Sequence, residues 1–145
     1  MEESVKQERS ERSGRVLLSG LEASTINEVI ESLDRIVDWS KQQANRCGYF
    51  AALYRKVTIR VRQGIESGYF DNGPRMEKLD VLFANRYLQA FESYHAGQPV
   101  TQAWQLAFEL TEQCSPIVLH HLMLGMNAHI NLDLGIAAAQ TVDAA

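Results

Sequence analysis

Apolar residues recur along this chain at helical spacing. Ile26, Val29, Ile30, Leu33, Ile36 and Val37 fall on one side of a 3.6-residue period. Thr25 and Glu28 stand just ahead of that stripe as a capping-box pair, able to satisfy backbone N–H groups that a first helical turn leaves free. The pattern predicts a helix from Ser24 or Thr25 to about Arg46. A second stripe, Phe50, Leu53, Tyr54, Val57, Val61 and Ile65, predicts a helix from about Cys47 to Tyr49 up to a cap at Gly68. Val57 to Val61 also alternates like a β-branched strand, but the helical period extends over more residues on both sides and decides the matter.

The turn Asp71-Asn72-Gly73-Pro74 hands over to a third helix, with Pro74 suited to its first position. That helix carries Leu79, Phe83, Tyr87, Leu88, Phe91 and Tyr94 and stops at Gly97, before Pro99. A shorter fourth helix holds Ala103, Trp104, Ala107, Phe108 and Leu110. Ser115 as cap and Pro116 inside the first turn open a fifth, which runs to Ala139. In this last helix Leu119, Leu122, Met123, Met126, Ile130, Leu132, Leu134 and Ile136 occur on every side, the mark of a buried helix. The expected fold is therefore all-α: a single-domain bundle of about five helices with a buried C-terminal helix.

Composition narrows the classes. With 145 residues, 46% hydrophobic and 22% charged, the chain fits one globular domain. Residues 1–20 are expected to form a disordered charged tail and residues 21–145 the helical domain. Met1 to Arg15 lacks the apolar run of a signal peptide, and no stretch approaches a membrane span. Cys47 and Cys114 are too few and too far apart for a disulfide framework, so reduced thiols in a cytoplasmic protein are expected. A net charge of −4 gives no general attraction to nucleic acid. The basic run Arg55, Lys56, Arg60 and Arg62 is spread around its helix and reads as a solvated face. Tyr69-Phe70 is expected to anchor its loop by apolar packing, with groove lining as the alternative.

The segments Leu124-Gly-Met-Asn-Ala-His-Ile-Asn-Leu-Asp-Leu134 and Leu79-Asp-Val-Leu-Phe-Ala-Asn-Arg-Tyr87 resemble a bacterial family catalogued as domain of unknown function 5995. The resemblance runs from about the first helix to Ala139 and implies no activity. Members of that family are longer, which implies that this chain is a shortened member or a fragment, truncated at the C-terminus. A helix meant for burial would then lie exposed, and self-association is expected.

The candidate chemistry sits on the fifth helix. On a wheel of about 100° per residue, His129 and Asp133 are neighbours one turn apart, flanked by Leu122, Met126 and Ile136. His120, Asn127 and Asn131 cluster on nearly the opposite side. His121 lies near Gly125, where the missing side chain would admit another helix or a small ligand. Asp80 falls on the apolar stripe of the third helix, where a carboxylate is unexpected. Helix packing that brought Asp80 to His129 and Asp133 would offer imidazole and carboxylate ligands to a divalent metal such as zinc or iron. His-x-x-x-Asp is also similar to the zinc helices of a phospholipase and nuclease fold, but the further histidine found there is missing here: Gly135 to Ala145 has none.

The rival reading is structural: Asp133 fixes the tautomer of His129, Asp80 pairs with Arg86 or another base, and the cluster of Asp80, His121, Asn127, His129 and Asp133 specifies packing without chemistry. A binding or interaction module with a buried polar network is the leading expectation. A metal-dependent hydrolase using Asp80, His129 and Asp133 is the alternative, and a small-molecule binder with a cavity beside Gly125 the third. The P-loop, Gly-x-Ser-x-Gly and His-Glu-x-x-His signatures are all missing.

Overall fold

The computed structural model describes residues 18–113 and 116–143. Residues 1–17 of the tail expected over residues 1–20, Cys114 and the proposed cap Ser115 lie outside the described residues. The helices are α1 (Ile26–Gln42), α2 (Gly48–Glu66), α3 (Gly73–His95) and α4 (Gln102–Glu109), then a 3-10 turn, Leu110–Glu112. Next come α5 (Val118–Ala128), a π-helical turn (His129–Asp133) and α6 (Leu134–Asp143). The last three run on as one rod, so the described residues form five helical rods and contain no strand. The all-α expectation holds, and Val57 to Val61 is helical.

The ends of the helices follow local chemistry. Thr25 Oγ1 accepts from the Glu28 N–H at 3.2 Å, and the Glu28 carboxylate accepts from the Ser24 N–H at 2.6 Å. Asn72 Oδ1 accepts from the Arg75 N–H at 3.0 Å and opens α3, with Pro74 in its first turn. Helix α1 stops at Gln42, short of Arg46, because Ala44 turns into the left-handed region at φ 50°. The Asn45 N–H then bonds back to the Ser40 carbonyl at 2.8 Å, the six-to-one bond of a Schellman turn. Pro116 lies ahead of α5 rather than inside it, and Ile117 takes the cap position with an extended backbone.

Residue pairs across the interfaces fix the register. Arg55 pairs with Asp34 and Arg62 with Asn27, so α1 and α2 run antiparallel. Tyr54 faces Phe83 and Phe50 faces Tyr87, which makes α2 and α3 antiparallel as well. The C-terminal rod lies against both: Gly125 meets Phe50 and His129 meets Tyr54 on α2, while Asp133 meets Arg86 on α3. The core between them holds Leu33, Ile36, Phe50, Tyr54, Tyr87, Phe91, Trp104 and Phe108.

The rod is not buried on all sides. Its inner face is lined by His121, Gly125, Ala128, His129, Asp133, Ala137 and Thr141. Its outer face carries Leu119, Met123, Met126 and Ile130, exposed by 56%, 58%, 41% and 49%. The usual arrangement is inverted: small and polar residues face the core, large apolar ones face outward. Small inner residues allow close approach, and at Gly125 a Cβ would stand only 2.4 Å from the Phe50 ring. Of the two occupants that Gly125 could admit, another helix or a small ligand, the structure places a helix there: Phe50 of α2 fills the space.

Candidate functional site

Asp133 stands at the centre of a polar network inside this apolar packing. It is 1% exposed, and the π-helical turn presents it to α3 and α4 together. Its Oδ1 accepts from Arg86 Nε at 3.2 Å. Its Oδ2 accepts from the Trp104 indole N–H at 2.9 Å and lies 3.3 Å from His129 Nδ1. A carboxylate only accepts, so Nδ1 carries the proton in this pair and Nε2 is left as a bare lone pair. Bonds from a cation and two N–H donors offset the loss of water around a buried carboxylate.

His129 is held by aromatic rings. It stacks on Phe83 with centroids 3.6 Å apart and planes 8° from parallel, and meets Tyr54 edge-on at 4.5 Å. Burial pushes its pKa down, more strongly than the Asp133 carboxylate raises it. The imidazole is thus neutral at ordinary pH, with a buried Nε2 that has no hydrogen-bond partner among the described residues.

Asp80 does not pair with Arg86. Six residues apart on one helix, the two project from different sides, since neighbours on a helix surface are three or four apart. Arg86 reaches Asp133 instead. Asp80 is buried with one oxygen unpartnered among the described residues, and its pKa is pushed up to about 7 by burial, with the negative charge of Glu77 adding to the effect. The Tyr54 phenol feels both Asp80 and Asp133 and is itself pushed well up, first by burial. Its hydroxyl and that of Tyr87 are also buried without partners.

The expected cluster is therefore only partly assembled. His129 and Asp133 are together. His121 is buried, but it stacks loosely on Tyr49 at 6.0 Å, and neither ring nitrogen has a partner among the described residues. Burial lowers its pKa, and the nearby charges of Arg46 and His120 lower it further. Asn127 is at the surface, where its Oδ1 accepts from Asn131 Nδ2 at 2.7 Å. Among the described residues no three His, Cys, Asp or Glu side chains are grouped so as to hold a metal ion. The sequence placed Trp104 on the fourth helix without showing it as a donor. The available signal was chemical: a buried indole N–H needs an acceptor.

Cys47, at the start of α2, is a buried thiol whose Sγ donates to Thr111 Oγ1 at 3.4 Å. Burial pushes its pKa up to about 11, which makes it an inert packing residue and a poor nucleophile.

Among the described residues no helix is long and apolar enough to cross a membrane. No curated protein and no solved structure matches the chain. The sequence model of one family, the family of unknown function DUF5995, matches residues 26–145, which include every helix from α1 to α6 and the whole Asp133 network. The chain belongs to that family.

Proposed function

We propose that the chain is a cytoplasmic interaction module that presents the outer face of its C-terminal rod to a second copy of itself, with the Asp133 network holding the rod in place. One observation carries this reading. Leu119, Met123, Met126 and Ile130 are exposed at intervals of four, three and four residues, the spacing of a helix-pairing seam. No Asp, Glu, Lys or Arg occurs between Gln113 and Leu132 to keep that seam in water. A self-complementary strip on one helix suits a two-fold symmetric contact, in which each copy offers the same patch.

Sedimentation velocity over a range of concentrations tests it. The intact chain is expected to sediment as a dimer, and Met123→Lys with Ile130→Lys as a monomer of unchanged helicity. A wild-type monomer at every concentration, or a double variant that assembles as before, overturns the reading.

A metal-dependent hydrolase using Asp80, His129 and Asp133 with zinc or iron is the second reading. It is favoured by the unpartnered His129 Nε2 and Asp80 Oδ2. It is the weaker one, because both Asp133 oxygens already accept hydrogen bonds and no three-ligand group is present among the described residues. Elemental analysis of protein purified without an affinity metal separates the two. Stoichiometric zinc or iron that disappears in Asp133→Ala supports the hydrolase, and metal-free protein removes it.

A further inference from the structure

Two sequence features left aside above, the basic run on α2 and the Tyr69-Phe70 pair, meet in one groove. The basic run divides in two. Arg55 bonds to Asp34, and Arg62 to Asn27 and, at 3.7 Å, to Glu66. Lys56 and Arg60, one turn apart and both exposed, have no carboxylate partner among the described residues, where Arg60 bonds to the neutral Gln63 at 3.1 Å. Both line a groove of about 770 Å³ that no Asp or Glu lines.

The opposite wall is made by the turn after α2. Gly68 takes the left-handed conformation at φ 71°, and the Tyr69 N–H bonds back to the Gly64 carbonyl at 2.9 Å. That bond folds Tyr69-Phe70 over the helix. Gly64 makes room: a Cβ there would stand 2.7 Å from the Phe70 ring. Phe70 thus forms an apolar wall with Val57 and Val61, while Tyr69, 80% exposed, lines the groove beside them and meets the Phe70 ring edge-on at 5.3 Å.

We propose that this groove binds a small organic anion with an apolar body, of the alkyl carboxylate class. The carboxylate sits between Lys56 and Arg60, where two cations supply charge-assisted hydrogen bonds. The alkyl chain lies along Val57, Val61 and Phe70, under Tyr69. The groove falls in the size range of small-molecule sites, roughly 300–1,000 Å³, and has their character of apolar walls with a few convergent polar groups. Charge complementarity is local: the chain as a whole is acidic, at −4, and offers an anion no general attraction.

Calorimetric titration of the full chain with octanoate tests the proposal, with octan-1-ol, octylamine and inorganic phosphate as comparison ligands. Saturable one-to-one binding of octanoate is expected, with octan-1-ol and phosphate each about tenfold weaker or more and octylamine not binding. Lys56→Gln with Arg60→Gln is expected to weaken octanoate by about tenfold or more, since two charge-assisted contacts are lost. Tyr69→Ala should weaken it several-fold; all three side chains are exposed, so the circular dichroism spectrum should not change. Absence of saturable heat with octanoate overturns the proposal, as does undiminished binding in the double variant. Equal affinity for octan-1-ol would reduce the groove to an apolar patch, and equal affinity for phosphate to a bare anion site; either result also rejects it. Octanoate taken up only when vesicles of anionic phospholipid are present would make the groove a membrane contact and overturn it too.

Discussion

Asp133 shows how a charged residue can sit inside an apolar bundle when each oxygen has a donor. Arg86, 31% exposed, supplies the charge from the edge of the core, and Trp104 and His129 supply N–H groups from within it. The consequences of substitution differ by chemistry. Asp133→Ala leaves the indole N–H and the imidazole N–H buried without acceptors and Arg86 without its counter-ion, and should cost about 3–5 kcal/mol. Asp133→Asn keeps an oxygen for one donor but turns an NH₂ towards another, and should cost less. Urea denaturation of both variants measures the difference. Near-equal, small losses in the two would mean that the network contributes little. The His129–Asp133 half of this arrangement was legible in the sequence because a spacing of four forces proximity on any helix. The Arg86 and Trp104 half was not, because contacts between helices depend on crossing and register, which spacing within one helix does not contain.

Element boundaries were legible where a side chain caps the backbone, at Thr25 and Asn72, and where a glycine takes the left-handed conformation, at Gly97. They were missed at the end of α1, where the terminating residue is Ala44, not the glycine that a left-handed cap favours. An alanine at φ 50° carries a Cβ clash of roughly 1–2 kcal/mol. Ala44→Gly should therefore raise stability by about 1 kcal/mol net of the freer unfolded chain, visible as a rise of a few degrees in melting temperature. An unchanged or lower melting temperature would show that the turn is not strained. Gly125→Ala is the converse case. Its Cβ would meet the Phe50 ring at 2.4 Å, so the rod must move away from α2, at about 1–3 kcal/mol.

The π-helical turn is the feature of the rod that a wheel could not contain. At a uniform 100° per residue Thr141 falls about 200° from His121, on the far side of the helix. The extra residue of the π turn takes back about 100°. That is why Asp133, Ala137 and Thr141 share the inner face with His121 and Gly125.

At the scale of the molecule, the apolar stripes of α1 to α4 supply most of the described core, with the exception of the later α2 stripe, where Val57 is 48% exposed. The C-terminal rod was misread because an apolar surface all round states a need for partners without saying which side they occupy. The remaining consequence is electrostatic and belongs to the whole fold. Burial lowers the pKa of His95, His121 and His129 below the ordinary 6.5 and raises that of Asp80 from 3.8 to about 7. As pH falls through 6.5 the unfolded chain takes protons on these histidines that the folded chain resists, so their contribution is present above 6.5 and lost below it. Asp80 has the opposite sign. Between 3.8 and about 7 the folded chain holds a proton that the unfolded chain has released, so stability from this group falls as pH rises through that window.

Asp80→Asn isolates the second effect. The amide adds a pH-independent cost of its own, so the slope of the difference between variant and wild type carries the test, not its sign at one pH. Relative to wild type, the variant should gain stability from about pH 4 to about pH 7 and hold level above that. Urea denaturation of both proteins across the interval measures this. A difference that stays constant with pH would mean that the Asp80 carboxyl ionises as easily in the fold as in the open chain, and that its buried oxygen has a partner in solution.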